Sequence, residues 1–391
     1  MKTTSEVFTN TSDMEEQQEQ CATGVVIDEF GLIEDILRRV PIKSLVRLQF
    51  VSKQWRSLIS DPAFLRRHAS ATGISVLWKH ARISRSPRQF GHHDNFSLCT
   101  IDGNGEHGFL SLDSMNRPDV TFKPAIFGSC NGLLLIRSAE SEFALWNPFT
   151  KSSRRITGFC PDMLRNAKIL SGLAYDRASE DYKAVVVLFP DKGRGGAHPL
   201  IFSYRRNSWT NSDTGGFPLP YWPSGAFSSG PTVNGCPHWV VTDSVFDDSK
   251  LLVCFDAVKE DLKEVPLLPD MLRREDHFEV GMLDGCLSIV VMSSVRNSRE
   301  VRVWLMKQYG VAKSWTNVHI LKVPCGTNFL RPVGYLTCRG LGGMVMEKDV
   351  KQVVEFNVRN NIHTRKTIAH YDDPNERTTV YVESIVSPWG L

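Results

Sequence analysis

The chain reads as two units of different class: a small all-α unit of three helices, then an all-β, propeller-like domain, α+β overall only as a multidomain chain. Three observations predict this. Between Leu32 and His68 apolar residues recur at helical spacing. Beyond Thr72-Gly73 they occur instead in short β-rich runs closed by turn residues. Across those runs an aromatic-plus-turn pattern returns roughly every 50 residues, the length of a four-stranded propeller blade.

The helical unit is defined by its punctuation. Leu32, Ile33, Ile36, Leu37 and Val40 form one apolar stripe, as a helix buried on one side requires. Pro41 ends that helix, because it has no backbone donor and clashes with the preceding turn. Leu45 and Leu48 begin a second stripe, and Val51, Trp55, Leu58 and Ile59 make a third. Asp61-Pro62 closes it ahead of Phe64, Leu65 and His68. Asp28 is placed to cap the first helix through its side-chain oxygen. Helices this short are marginal alone, and so small a unit leaves apolar surface uncovered. It must pack against the rest of the chain or against another protein.

The 391 residues suffice for one small and one large domain. An apolar fraction of 41% with 23% charged residues is that of a globular protein. No apolar run reaches the ~20 residues of a bilayer span, so no membrane partner is expected. Residues 1–24 are polar and mildly acidic, without the apolar core of a signal peptide, and are expected to form a disordered tail. A net charge of +3 is too small to argue for nucleic acid. The nine cysteines are scattered, with no C-x-x-C spacing, so free thiols of the cytoplasm or nucleus are expected rather than a metal or redox site.

In the long second half, runs such as Gly132–Ile136, Ala184–Leu188 and Leu287–Val291 are bounded by Gly, Asn, Asp or Pro, as strands of an all-β domain should be. The aromatic marker falls at Trp146, Tyr204, Phe255, Trp304 and Phe356. A glycine-containing turn precedes most of them, at Asn131-Gly132, Asn234-Gly235, Asp284-Gly285 and Gly340. Five units span about Phe127 to Ile368. The leftover segments, Ile74–Val120 and the last strand Thr379–Val386, are expected to pair into a sixth blade that removes the exposed edge. An open β-sandwich with irregular insertions is the competing architecture.

No catalytic arrangement is legible. His92-His93-Asp94 lacks the spacing of a metal motif and reads as a solvated loop, and Gly193–Gly196 reads as a flexible connection. Arg82, Arg85 and Arg88 read as a basic loop. Cys130 and Cys236 are expected to act as small hydrophobes, and Trp146 and Trp239 to pack inside the repeat. Neither cofactor nor metal is expected.

The helical segment resembles an F-box. The resemblance rests on Ile36-Leu37, Val40-Pro41-Ile42-Lys43-Ser44-Leu45, Val51-Ser52-Lys53-Gln54-Trp55, Leu58-Ile59 and Asp61-Pro62-Ala63-Phe64. One departure stands out: where the family opens with Leu-Pro, this chain has Asp28-Glu29. The second half resembles the kelch-like F-box-associated domain of a large plant family. The matching residues are Ser129–Leu134, Leu145–Thr150, Leu173–Asp176, Asn234–Trp239 and Phe255-Asp256.

Together the resemblances imply a disordered tail over 1–24, an F-box over 25–70 and a propeller-like domain over 74–388. They imply a non-catalytic substrate-receptor subunit of an SCF-type cullin–RING ubiquitin ligase. Its F-box would bind a Skp-type adaptor and, through it, cullin and RING subunits, while the β domain binds a target protein. Leu32, Ile36, Leu37, Pro41, Ile42, Leu45, Val51 and Trp55 are the residues expected at the adaptor. Some of them must instead form the F-box core, and the sequence does not partition them. Loops around Asp191–Ala197, Asn211–Ser229 and Ser293–Glu300 are candidates for the target by composition. The rival reading is a scaffold or inhibitor that binds proteins outside a ligase.

Overall fold

The computed structural model describes residues 29–61, 64–65, 68, 75–83, 92–101, 107–111, 125–139, 142–159, 167–190, 198–211, 222–223, 227–242, 250–269, 271, 276–293, 300–323, 327–338, 341–349, 352–357, 366–370 and 379–389. Residues 1–24, the Asp28 cap, the connection at 69–74, Arg85, Arg88, the Gly193–Gly196 run and Gly340 lie outside them.

Helices α1 (Glu29–Leu37), α2 (Ile42–Leu48) and α3 (Lys53–Ser60) follow the three sequence stripes. Pro41 occupies the residue before α2, and its carbonyl accepts the amides of Ser44 and Leu45 at 2.9 and 3.0 Å. Ser52 caps α3, its hydroxyl accepting the Trp55 amide at 3.1 Å. Leu37, Ile42, Leu45, Ile59, Phe64 and Leu65 are buried. His68 is buried with them, its Nε2 2.7 Å from the Val40 carbonyl, and burial pushes its pKa down.

Among the described residues the β domain is six sheets. Blade 1 contains β1 (Ser75–Ile83), β2 (His92–Ile101) and β3 (His107–Ser111). Blade 2 is β4 (Ala125–Cys130), β5 (Leu133–Ala139), β6 (Glu142–Asn147) and β7 (Ser152–Ile156). Blade 3 is β8 (Ala167–Asp176), β9 (Asp181–Pro190), β10 (His198–Ser203) and β11 (Ser208–Asn211). The next stretch, which is blade 4 apart from β13, gives β12 (Trp222–Pro223), β13 (Phe227–Ser229), β14 (Thr232–Val233), β15 (Cys236–Thr242), β16 (Lys250–Asp256) and β17 (Asp261–Glu264). Blade 5 is β18 (His277–Leu283), β19 (Cys286–Met292), β20 (Glu300–Met306) and β21 (Trp315–Lys322). Blade 6 is β22 (Leu330–Cys338), β23 (Leu341–Lys348), β24 (Gln352–Asn357) and β25 (Lys366–His370).

The chain then returns as β26 (Thr379–Tyr381), which pairs antiparallel with β1 in the register Ser75↔Tyr381 and Leu77↔Thr379. Blade 1 is therefore built from both ends of the domain, which leaves no open first sheet. Strands of neighbouring blades approach one another in sequence, β26 with β4, β4 with β8, β8 with β15, β15 with β18 and β18 with β22. This is a propeller, not an open sandwich. The closing strand is shorter than Thr379–Val386: it stops at Tyr381, and residues 382–389 continue as an irregular tail.

The turns explain the repeat. Asn131-Gly132, Asn234-Gly235 and Asp284-Gly285 all have positive φ at both residues, the geometry of a two-residue type I′ hairpin. Gly132 is needed twice over, because a Cβ there would strike the Ser384 side chain and the Val382 carbonyl. The aromatic marker sits at the end of a third strand, ahead of a four-residue turn whose last residue is left-handed: Lys151, Asn207 and Glu260. One marker was displaced. In blade 3 the strand position belongs to Phe202, while Tyr204 lies in the turn itself. Another assignment is corrected too: His92–Asp94 open strand β2, because they pair with Ala81–Ile83. The same pairing puts Arg82 in β1, not in a loop.

Blades 3 and 4 are joined more tightly than a repeat requires. β12 and β14 both pair with β15, but β13 between them leaves to pair in parallel with β8. Thr232 Oγ1 donates to the Leu173 carbonyl at 2.8 Å, and the Gly230 amide to the Ser171 carbonyl at 3.0 Å. Gly172 permits this approach, since a Cβ there would lie 2.4 Å from Pro237.

Candidate functional site

Helices α1–α3 separate the eight expected adaptor residues into an inner and an outer group. Leu37, Ile42 and Leu45 are buried in the core they share with Ile59 and Phe64, so they hold the unit together and present no docking surface. Trp55 is half-buried against that core, and Pro41 is exposed at the α1–α2 corner. Leu32, Ile36 and Val51 are exposed at 52%, 53% and 60%. Leu32 and Ile36, four residues apart, share one face of α1. Phe50 joins the outer group at 84% exposure, the most exposed large apolar residue described. Sequence reasoning missed it because Phe50 falls in the turn after α2, outside every helical stripe; its signal was being an aromatic with no stripe to belong to. These outer side chains present apolar surface on a unit too small to cover it.

In the β domain the markers are structural. Trp146 and Trp239 are buried, as are Phe255 and Phe356. Cys130 and Cys254 are buried and Cys236 is half-buried, and none is in a disulfide. Burial pushes the Cys236 thiol up and the Cys254 thiol up to about 12, so neither is a ready thiolate. Among the described residues no group of three His, Cys, Asp or Glu is placed to hold a metal ion, and no helix is long and apolar enough to cross a membrane. The candidate target loops lie almost wholly outside the described residues.

His238 sits beside these thiols, with Nε2 3.0 Å from the Tyr309 hydroxyl. Burial lowers its pKa from 6.5 to about 4, against the opposing carbonyls of Pro231 and Cys236. The native protein thus keeps His238 neutral while the unfolded chain protonates it. Its contribution is complete above the unfolded value of 6.5 and is lost as pH falls through 4. By the cost of a shifted pKa, wild-type stability should drop by up to about 3 kcal/mol over that window. His238→Gln should flatten that part of the profile, as measured by urea denaturation at successive pH values. Parallel profiles for the two proteins would refute the assignment.

The described residues thus form a three-helix unit with exposed apolar side chains, followed by a propeller of six sheets. Residues 30–67 match the F-box domain, and residues 103–388 match the F-box associated beta propeller domain. The chain belongs to that family of F-box proteins with an associated propeller. An F-box/kelch-repeat protein of Arabidopsis thaliana is 28% identical over 308 residues, covering 77% of this chain and 81% of its own. The F-box protein CPR1 of Arabidopsis thaliana is 27% identical over 337 residues, covering 78% and 76%. Among solved structures, TolB from Acinetobacter baumannii overlaps 79% of this chain and 66% of its own at 9% identity and a TM-score of 0.43.

Proposed function

We propose that this chain is a substrate-receptor subunit of an SCF-type ubiquitin ligase, working in the cytoplasm or nucleus. The F-box docks on a Skp-type adaptor and so joins cullin and RING subunits, and the propeller holds a target protein for ubiquitination and degradation. The chain's own role is proximity: holding target and ubiquitin carrier on one assembly makes their encounter effectively intramolecular.

The observation that carries this reading is the exposed apolar set Leu32, Ile36, Phe50 and Val51 on a family-matched F-box. Strand ends support the division of labour. In blade 3, β9 ends at Pro190 and β10 begins at His198, at the end of the blade away from the Asp176–Glu180 and Ser203–Asn207 turns. A target held at that end leaves the opposite end for the F-box.

Co-purification with a Skp-type adaptor and cullin tests the proposal. The Ile36→Asp/Phe50→Asp double variant should weaken adaptor binding about 30-fold or more, the loss of a hot-spot contact. Its melting temperature should stay within 2 °C or so of wild type, since exposed positions bear little stability. Wild-type protein that fails to bind the adaptor at micromolar concentration would sink the ligase reading. Adaptor binding without cullin recruitment would favour a scaffold or inhibitor outside a ligase.

A further inference from the structure

Residues 382–386, which follow the closing strand, are held by long-range hydrogen bonds. Ser384 and Val386 are buried. Asn147, itself buried, donates from Nδ2 to the carbonyls of Ser384 at 2.9 Å and Val386 at 2.8 Å. Ser384 Oγ donates to the Asn131 carbonyl at 2.9 Å, so the tail is pinned across both turns at one end of blade 2. Tyr381, fully buried, donates to Asn147 Oδ1 at 3.2 Å.

The tail also reaches the F-box. Val386 and Ile385 belong to the same apolar cluster as Leu37, Ile42, Leu45, Ile59 and Phe64, together with Phe127, Leu133 and Leu145 of blade 2. Burial raises the Glu383 carboxyl's pKa, and Lys43 of α2 lies close enough to oppose that rise.

Asn147 differs from two aspartates that hold turns by the same hydrogen bonds. Asp176 and Asp256 hold the same kind of turn: one carboxylate oxygen accepts two turn amides, and the other accepts a lysine seven residues on, Lys183 or Lys263. Asn147 Oδ1 likewise accepts the amides of Phe149 and Thr150. The residue seven on, Arg154, turns away to the Tyr204 carbonyl and Asn207. The second arm of Asn147 must face two carbonyls of the tail, where only an amide can donate.

We propose that residues 382–386, clamped by Asn147, are the joint that seats the F-box on the propeller, and so set the position of the receptor surface relative to the docked adaptor. The last clause rests on the ligase reading; the joint does not. Asn147→Asp keeps the turn acceptor, as Asp176 and Asp256 do, and turns the donor to the tail into an acceptor that repels the Ser384 and Val386 carbonyls. Glu383→Lys places like charge against Lys43, and Lys43→Glu added to it restores the pair.

Hydrogen exchange by mass spectrometry and small-angle scattering on the full chain read the outcome. Asn147→Asp and Glu383→Lys should each speed amide exchange in α1–α3 tenfold or more and enlarge the radius of gyration. β15 to β24 should exchange as in wild type, and the Lys43→Glu/Glu383→Lys pair should return to wild-type behaviour. Helices that exchange at the wild-type rate with superimposable scattering would overturn the joint, as would faster exchange spread through all the blades. Adaptor binding of the wild type is measured separately, so failure of the ligase reading leaves this result interpretable.

Discussion

Trp239→Ala should lower the stability of the β domain by about 3–5 kcal/mol, the usual cost of deleting a large buried aromatic. Trp239 is fully buried on β15 yet packs largely with another blade: its cluster contains Leu170, Ala174, Val185, Val187, Phe189 and Ile201 of blade 3 beside Val241, Val253 and Phe255 of blade 4. Its indole Nε1 donates to the Ser171 carbonyl at 2.9 Å. The surrounding backbone has been brought to it. A Cβ on Gly172 would lie 3.2 Å from the indole, and one on Gly230 would lie 2.7 Å from Nε1. Neighbours fixed by a parallel strand pairing have little freedom to collapse into the space. For a domain of this size the loss corresponds to roughly 5–8 °C in melting temperature. Trp239→Phe should cost less, keeping most of the packing and leaving the Ser171 carbonyl with the Gly230 amide as its donor, a lost hydrogen bond worth about 1 kcal/mol. Urea denaturation followed by near-UV circular dichroism measures both. An alanine variant within 1 kcal/mol or so of wild type would remove Trp239 from its bridging role.

Local chemistry is why so much of this architecture was legible. Proline and serine punctuate the F-box helices, and Asn-Gly or Asp-Gly pairs fix type I′ turns whatever surrounds them. The closing pairing of β26 with β1 followed from an unmatched segment at each end of a repeat. What escaped depends on distant partners. The parallel excursion of β13 exists because β8 offers an edge, and no periodicity near Phe227–Ser229 announces it. Strand β26 ends at Tyr381, and beyond it Asn147, more than two hundred residues away in sequence, holds the carbonyls of Ser384 and Val386. The eight expected adaptor residues were drawn from a stripe pattern that records apolarity alone. Only packing shows that Leu37, Ile42 and Leu45 face inward while Ile36 faces out. Phe50 was missed for the same reason, since exposure of an apolar turn residue is a property of the folded unit.

Lys183→Met should destabilise the protein by about 3–5 kcal/mol, because removing one member of a buried ionic group leaves its partners uncompensated. Lys183 rises from β9 into a buried site between blades. Its ammonium lies 3.3 Å from Asp176 Oδ2 and 2.8 Å from Glu260 Oε1, and donates to the Ala257 carbonyl at 2.6 Å. Asp176 belongs to blade 3 and Glu260 to the turn of blade 4, so a single cation ties two sheets. Burial alone would raise the Asp176 pKa, but hydrogen bonds from Ser179, Ala178 and Lys183 together hold it below the ordinary carboxylate value. Without the lysine, Asp176 retains its donors from the turn, and Glu260 retains Arg206 at 3.0 Å. The excess negative charge therefore falls on both, and neutralising one should relieve it. Lys183→Met/Asp176→Asn should recover at least 1 kcal/mol or so relative to the single variant, as a coupled pair does in a double-mutant cycle. Strict additivity of the two substitutions in urea denaturation would show that the lysine acts through packing of its stem rather than through its charge.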